Sequence, residues 1–421
     1  MERKLPPIAP ARPSTGTLAG RKRKSSASLA PVAPSKRVAR ASRGWASLPT
    51  DIVLLVLRRV LAGGDIVDCI AFRAVCFYWR ACTPPLRDPT LRDRRLRPCR
   101  WVALCGGDAV RPDDACEIAL FNTRTARRIR AHPPELRRHR IVGFTDGLVI
   151  LLHKSTTAVR VLHPLTRIAV DLPPLARVYR QEVDRWWKHH LLDMNAVVCD
   201  SANSPSSIAV VVWFRWREAV FAAEAGDSDW KVLYRDRGRG SSLLSKSMLP
   251  FQGKLYATSS ASRQILQLYP PSLELDDDVP VPAVVAHVPD VHRFSRYFLV
   301  EVGGRMLLVV HPLDHDRFAL FVVHLRRSGG GIGKLIPVKC LGDRVLFLNR
   351  DRCMSVSARD LPSLMGNSIY FSQNNGSPVV LHSLVTKSSE DLAKHCQIHN
   401  MVDRIRPSVR PFTIADHLFT Y

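Results

Sequence analysis

Acidic residues are scarce in this chain, and the scarcity sets its electrostatics: 37 Asp and Glu stand against 62 Lys and Arg, a formal net charge of +25. An excess of this size favours acidic partners but does not select a fold. Aromatic residues are also few, at 7%, and residues 1–44 contain none, which leaves that stretch without a platform for stacking nucleic-acid bases. No apolar run approaches the roughly eighteen residues of a membrane-spanning helix, and the N-terminus lacks the apolar centre of a secretory signal. A soluble intracellular protein is expected.

The ten cysteines include no Cys-x-x-Cys pair, and neither Cys69, Cys76 and Cys82 nor Cys99, Cys105 and Cys116 have zinc spacing. Reduced thiols are expected, and no metal or cofactor is implied. Ser328 to Lys334 (SGGGIGK) lacks the first glycine of a phosphate loop, and Leu335 stands where that loop needs Ser or Thr; a flexible turn is expected. His311, Asp314, His315 and Asp316 surround Pro312 without an orienting partner and read as an exposed turn. Asp276, Asp277 and Asp278 read as a solvated loop, and Trp186, Trp187, Trp213 and Trp216 as packing. No catalytic residue emerges.

What is present begins with a basic arm. Residues 1–44 hold eleven Lys or Arg against Glu2 alone, a net +10, among Pro, Ser and Ala without apolar periodicity, the composition of a disordered segment. Arg21, Lys22, Arg23 and Lys24, then Lys36 and Arg37, form two clusters of the kind that direct nuclear import. Nucleus, cytoplasm or both are expected. The same charge leaves a second class of function open, a nuclear nucleic-acid-binding protein that uses the arm.

Residues 45–85 read as three short helices. Ser47 is placed to cap the first, with Pro49 and Asp51 in its opening turn, and Gly63 and Gly64 end it. Asp65 caps a second helix with Ile66, Val67 and Ile70, and Val75, Cys76 and Trp79 lie on a third that stops at Pro84 and Pro85. The first helix is apolar on two faces: Ile52, Leu55, Val56 and Val60 on one, Leu54, Leu57 and Leu61 on the other. So small a module has more apolar surface than its own core can use, which implies a partner.

Residues 86–100 read as a charged surface linker, and residues 101–415 as a mainly-β domain of short strands. Expected strands are Cys116 to Phe121, Leu148 to Leu152, Val159 to Leu162, Ile208 to Phe214, Leu255 to Thr258, Ile265 to Leu268, Tyr297 to Val302, Met306 to Val310, Phe318 to Leu325, Val345 to Leu348 and Ile369 to Phe371. Helical periodicity returns at Ser388 to His395. A glycine leads into a strand at Gly147, Gly253, Gly304, Gly342 and Gly366. Radial repetition of blades protects strand edges over so long a region, so a β-propeller is the first reading and a sandwich-like assembly the second.

Leu48-Pro49, Asp51-Ile52, Leu57, Leu61, Asp65, Val75-Cys76 and Trp79-Arg80 resemble the F-box motif. That resemblance implies docking on a Skp-type adaptor, and through it a cullin, by Leu48, Pro49, Ile52, Leu57, Leu61, Val75, Cys76 and Trp79. His163-Pro164-Leu165-Thr166-Arg167 with Leu172-Pro173-Pro174 is similar to the Asn-Pro-Leu-Thr-Arg and Leu-Pro-Pro elements of a plant family. Pro250 to Tyr256, Tyr297 to Glu301, Gly342 to Leu348 and Asn367 to Phe371 follow in that family's order. They resemble the C-terminal domain of plant F-box proteins of the KIB type, described as kelch-like β-propellers. The expectation is therefore a multidomain α+β chain: disordered arm, three-helix F-box, linker and propeller. It would act as a non-catalytic substrate receptor of an SCF-type ubiquitin ligase.

Overall fold

A computed structural model describes residues 44–104, 117–182, 194–214, 217–235, 247–259, 262–276, 278–289, 295–313, 317–326, 332–349, 352–372, 379–391 and 414. Arg21, Lys22, Arg23, Lys24, Lys36 and Arg37, and with them Asp277, Asp314, His315, Asp316, Trp186, Trp187 and Trp216, lie outside the described residues. The chain divides into two units, residues 1–47 and 48–421. In the first, the described part is a 3-10 turn, Trp45–Ser47, where Ser47 Oγ donates to the Gly44 carbonyl at 2.9 Å.

The second unit opens with three helices. Helix α1 (Thr50–Ala62) has Pro49, not Ser47, as its N-cap residue, and no side chain caps it. It ends at Gly63, followed by Gly64 at φ +74°, a backbone position that suits glycine. Helix α2 (Ile66–Ala74) is capped as expected by Asp65, whose carboxylate accepts from Val67 N at 2.9 Å. Helix α3 (Phe77–Cys82) starts after Cys76, so Val75 and Cys76 lie between the two helices and not on the third. Val53, Leu57, Ile66, Cys69, Phe72, Trp79 and Leu86 make a shared core, with the Phe72 and Trp79 rings stacked at 4.5 Å.

Six sheets follow. The first is β1 (Trp101–Leu104), β2 (Ile118–Asn122) and β3 (Arg128–Ala131). The second is β4 (His139–Thr145), β5 (Leu148–His153), β6 (Ala158–Leu162) and β7 (Ala169–Pro174), followed by helix α4 (Ala176–Glu182). The third is β8 (Met194–Asp200), β9 (Ile208–Phe214), β10 (Arg217–Glu224) and β11 (Lys231–Arg235). The fourth begins with β12 (Met248–Phe251), β13 (Lys254–Ser259) and β14 (Gln264–Tyr269). A small hairpin, β15 (Leu275–Asp276) with β16 (Val279–Pro280), precedes its last strand, β17 (Ala283–His287). The fifth is β18 (Ser295–Val302), β19 (Arg305–Pro312), β20 (Ala319–His324) and β21 (Lys334–Val338). The sixth comprises β22 (Arg344–Leu348), β23 (Cys353–Ser357), β24 (Ser368–Ser372), β25 (Val379–Ser383) and β26 (Ser388–Asp391), in the order β23-β22-β24-β25-β26.

Blades two to five are four-stranded antiparallel meanders, the second and third joined by the parallel pairing of β4 with β8, and apolar side chains fill each gap between neighbours. Ile150 and Val161 meet Val210 and Phe221 between sheets two and three. Val211 and Trp213 meet Leu255 and Ala257 between three and four. Tyr256 and Ile265 meet Leu299 and Leu308 between four and five, and Val300 and Val309 meet Leu346 and Phe371 between five and six. Phe121 of the first sheet packs on Phe347 and Tyr370 of the sixth, while Trp101 and Leu120 pack on Val149 and Leu151 of the second. The sheets therefore close a ring of six blades, which is how a propeller removes exposed sheet faces. Neighbouring blades touch directly at Gly143 of β4 and Ala196 of β8, where any Cβ on Gly143 would strike the Ala196 carbonyl.

Among the described residues the strands expected from the sequence all form, with ends shifted by a residue or two, and Cys116 lies outside those residues. Three of the recurrent glycines mark one device: Asp146-Gly147, Gln252-Gly253 and Gly303-Gly304 have positive φ at both residues. These two-residue hairpin turns join the first and second strands of blades two, four and five, and their twist matches that of the strands. Ser388 does not begin a helix, and residues 392–395 of the expected helical stretch lie outside the described residues. Ser388–Asp391 pairs with β25 after a tight turn in which Lys387 N donates to the Ser383 carbonyl at 2.8 Å. His311 is not on an exposed turn either: it is buried at the end of β19, stacked on Phe318 at 4.5 Å. The glycine-rich stretch lies mostly outside the described residues and ends in β21.

Residues 86–100, expected as a linker, are packed against the ring. Leu91 and Arg97 are buried. Arg97 Nε donates to the Leu91 carbonyl at 2.7 Å and a second guanidinium nitrogen donates to Asp146 at 3.2 Å, while Arg92 pairs with Asp200. The segment runs so close to the Asp146-Gly147 turn that a Cβ on Gly147 would strike Pro98.

Candidate partner-binding face

The helical module divides its apolar side chains between two environments. Val53 and Leu57 lie four apart on α1 and turn inward. Leu57 is 2% exposed and Trp79 7%. The surface of the module displays Ile52 at 38% exposed, Leu55 at 61%, Val75 at 57% and Phe77 at 83%, accompanied by Val56, Ile70 and Tyr78. Seven large apolar side chains within about thirty residues form more exposed apolar surface than a folded chain ordinarily leaves uncovered.

Polar contacts hold this face in shape. Arg73 donates to the Thr83 carbonyl at 2.5 Å and to Thr83 Oγ1 at 2.7 Å, tying α2 to the end of α3. Thr50 and Tyr78 hydroxyls meet at 2.9 Å and tie α1 to α3. Asp65 does more than cap α2: its two oxygens also accept from Trp101 Nε1 and Asn122 Nδ2, each at 2.9 Å. Asn122 in turn accepts from Arg124 N and Thr125 N at 2.9 and 3.0 Å. The module is thus fastened to blade one through a buried polar network.

Of the residues that the sequence assigns to a partner contact, the structure places Pro49, Ile52 and Val75 on the exposed face, and Leu48, Leu61 and Cys76 half-buried at the edge of the core. Leu57 and Trp79 are core residues and can influence a partner only through the fold of the module. Leu55, Val56, Ile70, Phe77 and Tyr78 are exposed as well and escaped that assignment, although for Phe77 and Tyr78 a signal was available. The available signal was a six-residue helix, FYWRAC, carrying three aromatics of which only one can face inward.

Among the described residues no group of three or more His, Cys, Asp or Glu is placed to hold a metal ion. Burial, reinforced by Asp65 and Asp68, pushes the Cys69 thiol up to about 11, and burial pushes Cys353 up to about 12. Thiols held protonated in this way are poor nucleophiles.

A family model described as KIB1-4 β-propeller matches residues 115–395. An F-box protein of Arabidopsis thaliana is 29% identical over 134 residues, which cover 30% of this chain and 34% of that protein, so the chain spans about a third of this curated relative's length. Among solved structures, the Malassezia sympodialis allergen Mala s 1 superposes with a TM-score of 0.31 at 10% identity, over 65% of this chain and 84% of the allergen. The Cps50 (Swd1) β-propeller domain of Myceliophteria thermophila gives a TM-score of 0.31 at 9% identity, over 70% and 81% of the two chains. Both are distant likenesses.

Proposed function

Because this chain belongs to the KIB1-4 β-propeller family, we propose that it is the substrate-recognition subunit of an SCF-type ubiquitin ligase. The helices 50–82 would form an F-box that docks on a Skp-type adaptor, and through it on a cullin, while the ring holds a target protein. The observation that carries this reading is the exposed apolar face of Ile52, Leu55, Val56, Ile70, Val75 and Phe77, which needs a partner to cover it. The distant F-box relative supports it. In this role the chain contributes proximity: it raises the concentration of a target lysine at the conjugating enzyme, and the bond-making chemistry belongs to other subunits.

Calorimetric titration of the full chain with a purified Skp-type adaptor tests the reading. Phe77→Ala and Leu55→Ala should each weaken binding by about tenfold or more, as truncation of a central apolar contact does. Apolar docking should also persist at high salt. Binding that collapses with salt and ignores these substitutions would instead favour the basic arm and a nucleic-acid partner.

A further inference from the structure

A second surface stands out at the far end of blade two. The 3-10 turn Pro134–Arg137 leads into β4 and lies beside the end of β5 and the start of β6, enclosing an open cavity of about 540 Å³. Strand β5 begins at the Asp146-Gly147 turn and ends at His153, one of the residues lining the cavity. At about 3.4 Å per residue the cavity is therefore some 17–20 Å from the segment that crosses that turn.

The charge in the cavity is arranged unevenly. Each of its two carboxylates pairs with an arginine: Asp171 receives both arms of Arg160 at 2.6 and 3.0 Å, and Glu135 Oε1 receives Arg167 at 3.2 Å while its buried Oε2 has no hydrogen-bond partner among the described residues. Arg137 and Arg138 are exposed, and among the described residues their guanidinium groups have no hydrogen-bond or ionic partner. Two imidazoles complete the wall, 4.9 Å apart and edge to face. His139 Nδ1 donates to the Glu135 carbonyl at 2.7 Å. His153 Nδ1 accepts from Ser155 N and Thr156 N at 3.3 and 3.1 Å, which leaves Nε2 of His153 as a fixed N–H donor. The cavity thus offers two unused guanidinium groups and an imidazole donor, set against two carboxylates that each already pair with an arginine.

We propose that this cavity seats one acidic side chain, carboxylate or phosphate, of the protein that the ring recognises. Guanidinium groups suit both anions through paired N–H donors. The proposal rests on the receptor reading for the identity of the bound protein, but not for the anion chemistry. A nucleic-acid backbone fits less well, because its evenly spaced phosphates would also meet Glu135 and Asp171, which line the same cavity, whereas a single acidic side chain needs only Arg137 and Arg138.

The test uses the full chain and three fluorescent probes: a short peptide with one central phosphoserine, the same peptide with glutamate, and the same peptide with serine. Binding is read by anisotropy for the native chain, for R137E/R138E, and for R58E/R59E, which makes the same charge change on α1. The phosphoserine and glutamate peptides should bind more tightly than the serine peptide, with at least about a tenfold loss in R137E/R138E, the loss of one charged hydrogen-bond partner or more. R58E/R59E should lower affinity only slightly, through the general field. Equal losses in the two variants, or none in either, would overturn the proposal, as would a short DNA duplex whose binding depends on Arg137 and Arg138 as strongly as the peptides do. Thermal melting and adaptor binding are followed in parallel. Both should be unchanged in R137E/R138E, and Arg138→Ala serves as a milder variant should the double reversal fail to fold. A chain that binds the adaptor and not the acidic peptides defeats the cavity assignment alone; one that binds the peptides and not the adaptor defeats the ligase reading alone.

Discussion

His163 occupies the first position of the turn between β6 and β7, where the plant element that this stretch resembles has asparagine. Its Nδ1 accepts from Leu165 N and Thr166 N, both at 3.2 Å, the pattern an asparagine carbonyl would make, and its Nε2 donates to the Leu96 carbonyl at 2.9 Å. The longer imidazole therefore closes the turn and also holds the segment before blade one. Only the neutral ring can do both. Burial pushes the His163 pKa below its ordinary 6.5, although the Leu96 carbonyl opposes the shift. The folded state thus binds fewer protons than the unfolded state below that pH. The stability this ring contributes is present above 6.5 and is lost as pH falls beneath it. His163→Asn should be about 1 kcal/mol less stable at neutral pH, for want of the Leu96 bond. It should also lack the native chain's loss of stability on moving into mild acid. Urea unfolding midpoints across that range measure both effects, and parallel curves for the two proteins would show that another group titrates.

Among the elements, α3 separates packing from display most cleanly. Trp79 is sandwiched in the module's core and Phe77, two residues earlier, projects into solvent. Trp79→Ala should cost about 3–5 kcal/mol of stability, whereas Phe77→Ala should stay within about 0.5 kcal/mol; denaturant titration distinguishes them. Proximity in sequence could not make this division, because both residues are large, apolar and on the same short helix. The strands were legible for a similar local reason. Runs such as Ile208–Phe214 are continuously apolar because blades pack on both of their faces, and the paired positive-φ turns announce themselves through Gly147, Gly253 and Gly304. Strand β4 was illegible: His139 and Arg140 at its start and Gly143 at its middle break the apolar pattern, the glycine being required by contact with Ala196. Ser388–Asp391 misled because an exposed edge strand has no buried face to impose alternation. The cavity at blade two was invisible for another reason, since Glu135, His153 and Arg160 come from three separate elements.

For the whole molecule, the consequential feature is the buried carboxylate of Asp65, shared by the helices and the ring. Asp65→Ala would strand the Trp101 and Asn122 donors and uncap α2. A loss of about 3 kcal/mol is expected. It should show as a lower midpoint for a single transition in which helices and ring unfold together, and two separate transitions in the native chain would contradict that coupling. Seen in the order in which the chain is made, the same carboxylate imposes a wait. The helices leave the ribosome first, yet α2 keeps only its own Val67 donor until Trp101 and then Asn122 have been synthesised and have found it. Any fragment cut before residue 122 would carry that debt permanently, so the exposed apolar face of the helices reaches its final form only after the first blade exists.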